Sequence, residues 1–215
     1  MIHLIHGIHT EGVSLVEGLI PFLSEWGVKY PDYGYILGVE TRIINPIIVG
    51  TLQAYVEPGD ILIGHSNGCA IAYDLMRRGT SVAGAIFINA ALESNIARPA
   101  GCPWIVVYSN KGDTITEAAQ IGARLGVTDP VWGEMGHVGY TGKDPMVSNV
   151  YCDTTPGEPV VVGHSDFFSP HTNMTPWGTY LANDLRKRCP PSPPVQSFLA
   201  ATGPLAAVIA AAGDR

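Results

Sequence analysis

Short apolar runs alternate with amphipathic stretches along most of the chain. "IHLIH" (2–6), ended by Gly7, reads as a buried strand. Over 13–26, Val16, Leu19, Ile20, Leu23 and Trp26 recur at helical spacing, with Ser14 and Glu17 as a capping-box pair. Pro21 should kink that helix or shift its start. "YILGV" (35–39) reads as a strand, and 47–55 as a helix closed by "EPGD". "DILIG" (60–64) predicts a strand, followed by a helix over 67–78 that Gly79 ends. "VAGAIFIN" (82–89) and "PWIVVYS" (103–109) are further strands. The stretch 113–126 is a helix with Thr114 and Glu117 as its capping pair. Residues 127–158 are rich in Gly and Pro, with a short strand near 147–151, and "PVVVG" (159–163) is a brief apolar run. The last helix is 175–188, with Thr175 as N-cap and Pro176 at its first position.

Strands alternating with amphipathic helices predict an α/β protein, a three-layer α/β/α sandwich around a mostly parallel sheet. No internal repeat is evident, and the strand–helix alternation ends at 188. "CPPSPP" (189–194) reads as a Pro-rich linker, and 195–215 as a tail, either a docked helix or a frayed end. The tail's apolar run is broken by Gly203-Pro204 and is too short to span a bilayer.

At 215 residues the chain suits one domain with a substantial core. The net charge of −7, with no basic stripe, argues against a nucleic-acid partner. Arg77-Arg78 and "RKR" (186–188) are too short to form one and suit helix C-termini. "MIHLIHGIHT" lacks the positive and continuous apolar regions of a signal peptide, so the expected location is cytoplasmic. The four cysteines show no CxxC spacing. Cys69 reads as a small buried apolar residue, and a Cys152–Cys189 disulfide stays open.

The chemistry concentrates at "ILIGHSNGCAIAYDLM" (61–76), where a strand must become a helix through Gly64-His65-Ser66-Asn67-Gly68. G-x-S-x-G alone is a weak signal, and a plain turn of small residues would satisfy it. Its place between a buried strand and a helix is the environment of a nucleophile elbow. There small flanking residues permit a strained turn, and the helix N-terminus aims free N–H groups at whatever sits on Ser66.

A serine hydroxyl needs a base, and the base needs an orienting acid. Ligands of such sheets gather beyond the carboxyl ends of the strands. Asp113, just past "PWIVVYSNKG", is the first candidate acid, although a turn or cap role would also explain it. Glu93 is its competitor. For the base, His164 in "VVVGHSDFF" leads, ahead of His137 in "EMGHVGY" and His171.

With "HGIHT", "GHSNG", "SNKGD" and "GHSDFF" in place over 6–168, the chain resembles a small lipase- or esterase-like member of the α/β-hydrolase superfamily. Ser66, Asp113 and His164 stand in that superfamily's chain order. The resemblance implies an oxyanion hole made by the backbone N–H groups of Ile8 and Asn67. It also implies that the family's opening strands are missing, leaving about six strands. No large insertion follows "GAIFIN", where relatives often carry a lid.

The implied activity is hydrolysis of a small-molecule carboxylic ester of short or medium acyl length, with no cofactor. A thioesterase or acyltransferase using the same three groups, and a non-catalytic binding protein of this fold, are the alternatives. A metal site on His3, His6 and His9 is disfavoured, because a strand would point His6 away from the other two. "WGEMGHVGYTGKDP" (132–145) either lines a pocket mouth with Trp132, Met135 and Tyr140 or is an ordinary surface loop. Oligomeric state is left open by the sequence.

Overall fold

The computed structural model describes residues 1–8, 15–31, 33 and 38–191. His9, Ser14, most of "YILGV", the end of the linker and the 195–215 tail lie outside the described residues. Six strands form one sheet in which every neighbouring pair is parallel: β1 (Ile2–Ile5), β2 (Val28–Lys29), β3 (Ile61–His65), β4 (Gly84–Ile88), β5 (Ile105–Ser109) and β6 (Val147–Tyr151). Their spatial order is β2-β1-β3-β4-β5-β6. The expected six-stranded α/β sandwich is therefore what the chain forms.

Parallel strands need crossovers, and the helices that make them cover both faces. One layer packs on Ile5, Leu62, Phe87, Ile105 and Val107. It holds α2 (Thr41–Leu52) and α3 (Asn67–Arg77), with α4 (Thr114–Arg124) and α5 (Met135–Val138) against its margin. The other packs on Ile2, Leu4, Ile63, Ile86, Val106 and Tyr108, and is made by Leu19, Leu23, Phe167, Phe168 and α6 (Met174–Arg188). The alternation along each strand sends neighbours to opposite faces, and both faces are buried. Side chains as large as Phe167 and Trp177, both fully buried, each contribute about 1.5–3 kcal/mol or more.

Several local expectations change. The 13–26 segment is not one helix: within the described part it runs as a 3₁₀ turn (Leu15–Leu19), α1 (Ile20–Leu23) and a second 3₁₀ turn (Ser24–Trp26). Pro21 sits at the start of α1, where its missing N–H costs no bond. Gly38–Glu40 is a 3₁₀ turn leading into α2 rather than strand, and the small edge strand is Val28–Lys29. α2 starts earlier than its apolar pattern suggests and tolerates Pro46 inside it.

Asp113, not Thr114, caps α4, accepting the Thr116 N–H at 3.1 Å. α6 begins at Met174 behind Asn173, so Thr175 is not its cap. "PVVVG" stays irregular, with Val161 buried and Val160 and Val162 exposed. Cys152 and Cys189 are free thiols, both packed in the second layer. Trp132, Met135 and Tyr140 are buried in the core of the first layer, so the segment that carries them is not an ordinary surface loop. No helix among the described residues is long and apolar enough to cross a membrane.

The strand order reverses between β1 and β3, whose successors leave toward opposite edges of the sheet. That switch point opens a crevice at the carboxyl ends of the strands. The loop at Gly7 and the turn at Ser66 meet there.

Candidate active site

Ser66 follows the last residue of β3 and precedes the first of α3, with φ 56° and ψ −125°. Such a backbone costs a residue with a side chain about 1–3 kcal/mol, and it persists only where the surroundings fix it. Here the Ser66 N–H donates to the Ile88 carbonyl at 3.1 Å, and the Ser66 carbonyl accepts from Cys69 and Ala91 at 3.0 and 3.2 Å. Serine at an N-cap usually turns its hydroxyl back onto the helix, but Ser66 does not cap α3.

The two glycines that flank the serine are required by close approach. A Cβ on Gly64 would lie 2.8 Å from the Cys69 nitrogen, and one on Gly68 would lie 2.1 Å from the Ile5 carbonyl oxygen. They let α3 begin directly against β1 and β3. Gly7 marks the third wall: a Cβ there would come within 2.9 Å of Ser66 Cβ and 3.4 Å of its Oγ. The His6-Gly7-Ile8 backbone therefore passes beside the serine side chain. The Tyr33 hydroxyl donates to the His6 carbonyl, and its ring stacks on His6 at 3.8 Å between centroids.

Asn67 begins α3, where backbone N–H groups have no partner within the helix. Its buried side chain is held by α2. Asn45 Nδ2 donates to Asn67 Oδ1 at 2.8 Å, and Asn67 Nδ2 donates back to Asn45 Oδ1 at 2.9 Å. Trp132 Nε1 donates to the same Asn67 oxygen at 2.9 Å, and Asn45 Nδ2 also reaches Asp129 Oδ2 at 2.8 Å. In a dry interior such a network fixes a unique arrangement because every lost bond strands a polar group. Ile8 Cδ1 packs near Gly38, whose own added Cβ would meet it at 3.6 Å.

Asp113 lies just past β5, fully buried. The ring of His164, from the loop before Asp166, brings Nδ1 to 2.9 Å from both of its carboxylate oxygens. Gly136 of α5 closes over the carboxylate, with room for no Cβ: one would lie 2.6 Å from Oδ2. Glu93 is exposed, and its N–H bonds the Val131 carbonyl. His137 sits half-buried on α5, and His171 is exposed in a turn before α6. The structure thus brings Asp113 to His164 among the candidates.

Sequence reasoning missed the groups around His164. His65 is buried beneath it, with ring centroids 4.9 Å apart, and is flanked edge-on by Phe168 at 4.8 Å. Burial, reinforced by His164 nearby, pushes the His65 pKa down to about 3. A neutral ring has one N–H, and the contact of Nε2 with the His164 carbonyl at 3.2 Å assigns it to that nitrogen. Asn89 Nδ2 donates to the same carbonyl at 2.6 Å, and Asn110 Nδ2 donates to the Gly163 carbonyl at 3.3 Å. A signal was present: each asparagine stands directly after an apolar strand, on the carboxyl edge where ligands gather.

Neither a family model nor a curated protein matches the chain. Among solved structures, an esterase domain from a Rhodothermus marinus protein is similar at TM-score 0.53 and 15% identity, over 86% of this chain and 86% of that one. A variant of PytH, a pyrethroid hydrolase, is similar at TM-score 0.51 and 15% identity, over 86% of this chain and 95% of that one. At such identities the likeness is one of fold, and it agrees with the six-stranded parallel sheet covered by helices on both faces. The chain has the α/β-hydrolase fold.

Proposed function

We propose that this chain is a serine hydrolase that cleaves carboxylic esters of short or medium acyl length through an acyl-enzyme on Ser66, with residues 1–188 as the hydrolase domain. Two observations carry the reading: His164 Nδ1 pairs with a buried Asp113, and the serine at the β3–α3 turn does not spend its hydroxyl on capping its helix. A carboxylate at Nδ1 keeps the proton there and leaves the Nε2 lone pair to act as base. Ser66 Oγ attacks the ester carbonyl while His164 Nε2 takes its proton. Asp113 stabilises the resulting imidazolium without itself being protonated.

The charge on the tetrahedral oxygen is met by the backbone N–H groups of Ile8 and Asn67, and losing one such donor typically costs about 10²–10³ in rate. His164 returns its proton to the leaving alcohol, and water, deprotonated by the same ring, then releases the acid. The connection from β4 to β5 (89–104) contains no helix to act as a lid, which favours small, accessible esters. Solved structures of this fold are named as an esterase domain and a pyrethroid hydrolase, in keeping with ester cleavage.

Two experiments test the reading. A fluorophosphonate probe should label the wild type on Ser66 and leave Ser66→Ala unlabelled. A panel of nitrophenyl esters should then show turnover that declines with acyl length. Ester turnover retained by Ser66→Ala would reject the proposal.

A further inference from the structure

Among the described residues, two non-glycine residues have positive φ: Ser66 and Asn89, the latter at 45°. Asparagine tolerates that region better than most residues, because its short amide can bond locally. The Asn89 amide, however, is spent at a distance in sequence. It is buried, donates through Nδ2 to the His164 carbonyl at 2.6 Å, and accepts at Oδ1 from Asn110 Nδ2 at 3.1 Å. The Asn110 amide also reaches the Gly163 carbonyl, and the Asn110 carbonyl accepts the Asp113 N–H at 3.1 Å. Two strand ends thereby tie together the segment that carries the acid and the segment that carries the ring. From below, neutral His65 donates to the His164 carbonyl as well.

A surface loop ordinarily gives its carbonyls to water. Here two successive carbonyls, those of Gly163 and His164, are taken by three buried side chains. These carbonyls belong to the peptides on either side of the His164 Cα, and holding both fixes the direction of its Cβ, and hence whether Nδ1 meets Asp113. We infer that Asn89 is a positioning residue: with Asn110 and His65 it locks the His164 backbone so that the ring faces Asp113. The inference rests on the proposed role of His164 as the base. An ångström of misplacement can cost about 10² in rate, so the lock bears directly on turnover.

The test separates the amide from the backbone. Asn89→Gly keeps the positive φ at no steric cost and removes the amide. Asn89→Asp keeps the shape and replaces the donor with an acceptor facing the carbonyl. With a nitrophenyl ester, kcat should fall about 10- to 100-fold in both variants while KM stays within about threefold, because orientation rather than substrate contact is lost. The downfield proton resonance of the His164 Nδ1–H, identified by its absence in His164→Ala, should shift or broaden.

Wild-type kcat together with an unchanged resonance in Asn89→Gly overturns the inference. Should that variant not fold, Asn110→Asp removes the neighbouring donors. It must show the same fall in kcat, and a wild-type value there overturns the inference equally. The resonance reads the Asp113–His164 geometry even in an inert protein. A wild type that no fluorophosphonate labels therefore sinks the serine-hydrolase reading separately from the lock.

Discussion

Asp113 gives both carboxylate oxygens to one nitrogen of His164, at 2.9 Å each, while its Oδ1 also caps α4 through the Thr116 N–H. Orienter and cap are one group, and two substitutions separate the roles. Asp113→Asn retains an acceptor for the cap but stabilises the wrong tautomer of the ring, so kcat should fall about 10⁴-fold with little change in melting temperature. Asp113→Ala should lose the same activity and about a further 1 kcal/mol of stability with the cap. Steady-state kinetics and thermal melts decide, and a fully active Asn variant rejects the orienting role.

The backbone of Ser66 should be a stability cost that function alone explains. Ser66→Gly relieves a φ of 56° and should raise stability by about 1 kcal/mol, or about 2–4 °C for a domain of this size, with no ester turnover. Ser66→Ala keeps the strain and should not gain. Equal melting temperatures for the two variants would show that the turn is unstrained.

Gly7 and Ser66 touch too closely for a side chain on the former. Gly7→Ala should push the Gly7-Ile8 backbone, the proposed oxyanion side, away from the serine and lower kcat about tenfold or more, since misplacing one donor costs about 10²–10³ at most. Part of its stability loss should vanish in the Gly7→Ala/Ser66→Gly double variant, where the opposing Cβ is gone. Strictly additive stability changes in that cycle would contradict the contact.

His65 makes stability depend on pH with a definite sign. Burial, and then the neighbouring His164, push its folded pKa down to about 3, well below that of an unfolded histidine. The unfolded chain therefore binds the extra proton first. The stability from neutral His65 is fully present above the unfolded value of about 6.5 and is lost progressively as pH falls from there toward about 3. The slope should be at most about 1.4 kcal/mol per pH unit. Urea melts at pH 7, 6, 5 and 4 measure it, and His65→Gln should flatten it. A slope unchanged in that variant assigns the acid sensitivity elsewhere.

All four cysteines should titrate as thiols in denaturant without reductant. Two thiols instead of four would mean that a disulfide forms, Cys152–Cys189 being the pair raised by the sequence.

Much of this arrangement is legible in the chain. Fully apolar strands such as "ILIG" and "AIFI" declare burial on both faces, and such strands alternating with helices give a parallel sheet. Gly64 and Gly68 around Ser66 declare a turn too tight for side chains, because steric demand acts locally and leaves a local mark. Asp113 and His164 could be ranked ahead of Glu93 and His137 from their places after apolar runs, but that the two side chains meet is not written in either segment.

Where regular structure is short or irregular, the pattern misleads. "PVVVG" is a brief apolar run, yet two of its valines are exposed. Trp132, Met135 and Tyr140 look like a loop's apolar trim, yet they are core. Over its described part, 15–26, the helix pattern breaks into two 3₁₀ turns around the short α1, where packing on α6 outweighs weak helical propensity.

Sequence by itself determined the kind of sheet, the elbow and the inventory of reactive groups, since these follow from periodicity and local sterics. Only the tertiary structure decided which carboxylate meets which imidazole, that Asn45 pairs with Asn67, and that Asn89, Asn110 and His65 hold the carbonyls of Gly163 and His164. Those choices depend on side chains far apart in the chain meeting across strand ends, and no local preference of a buried asparagine or histidine records its distant partner.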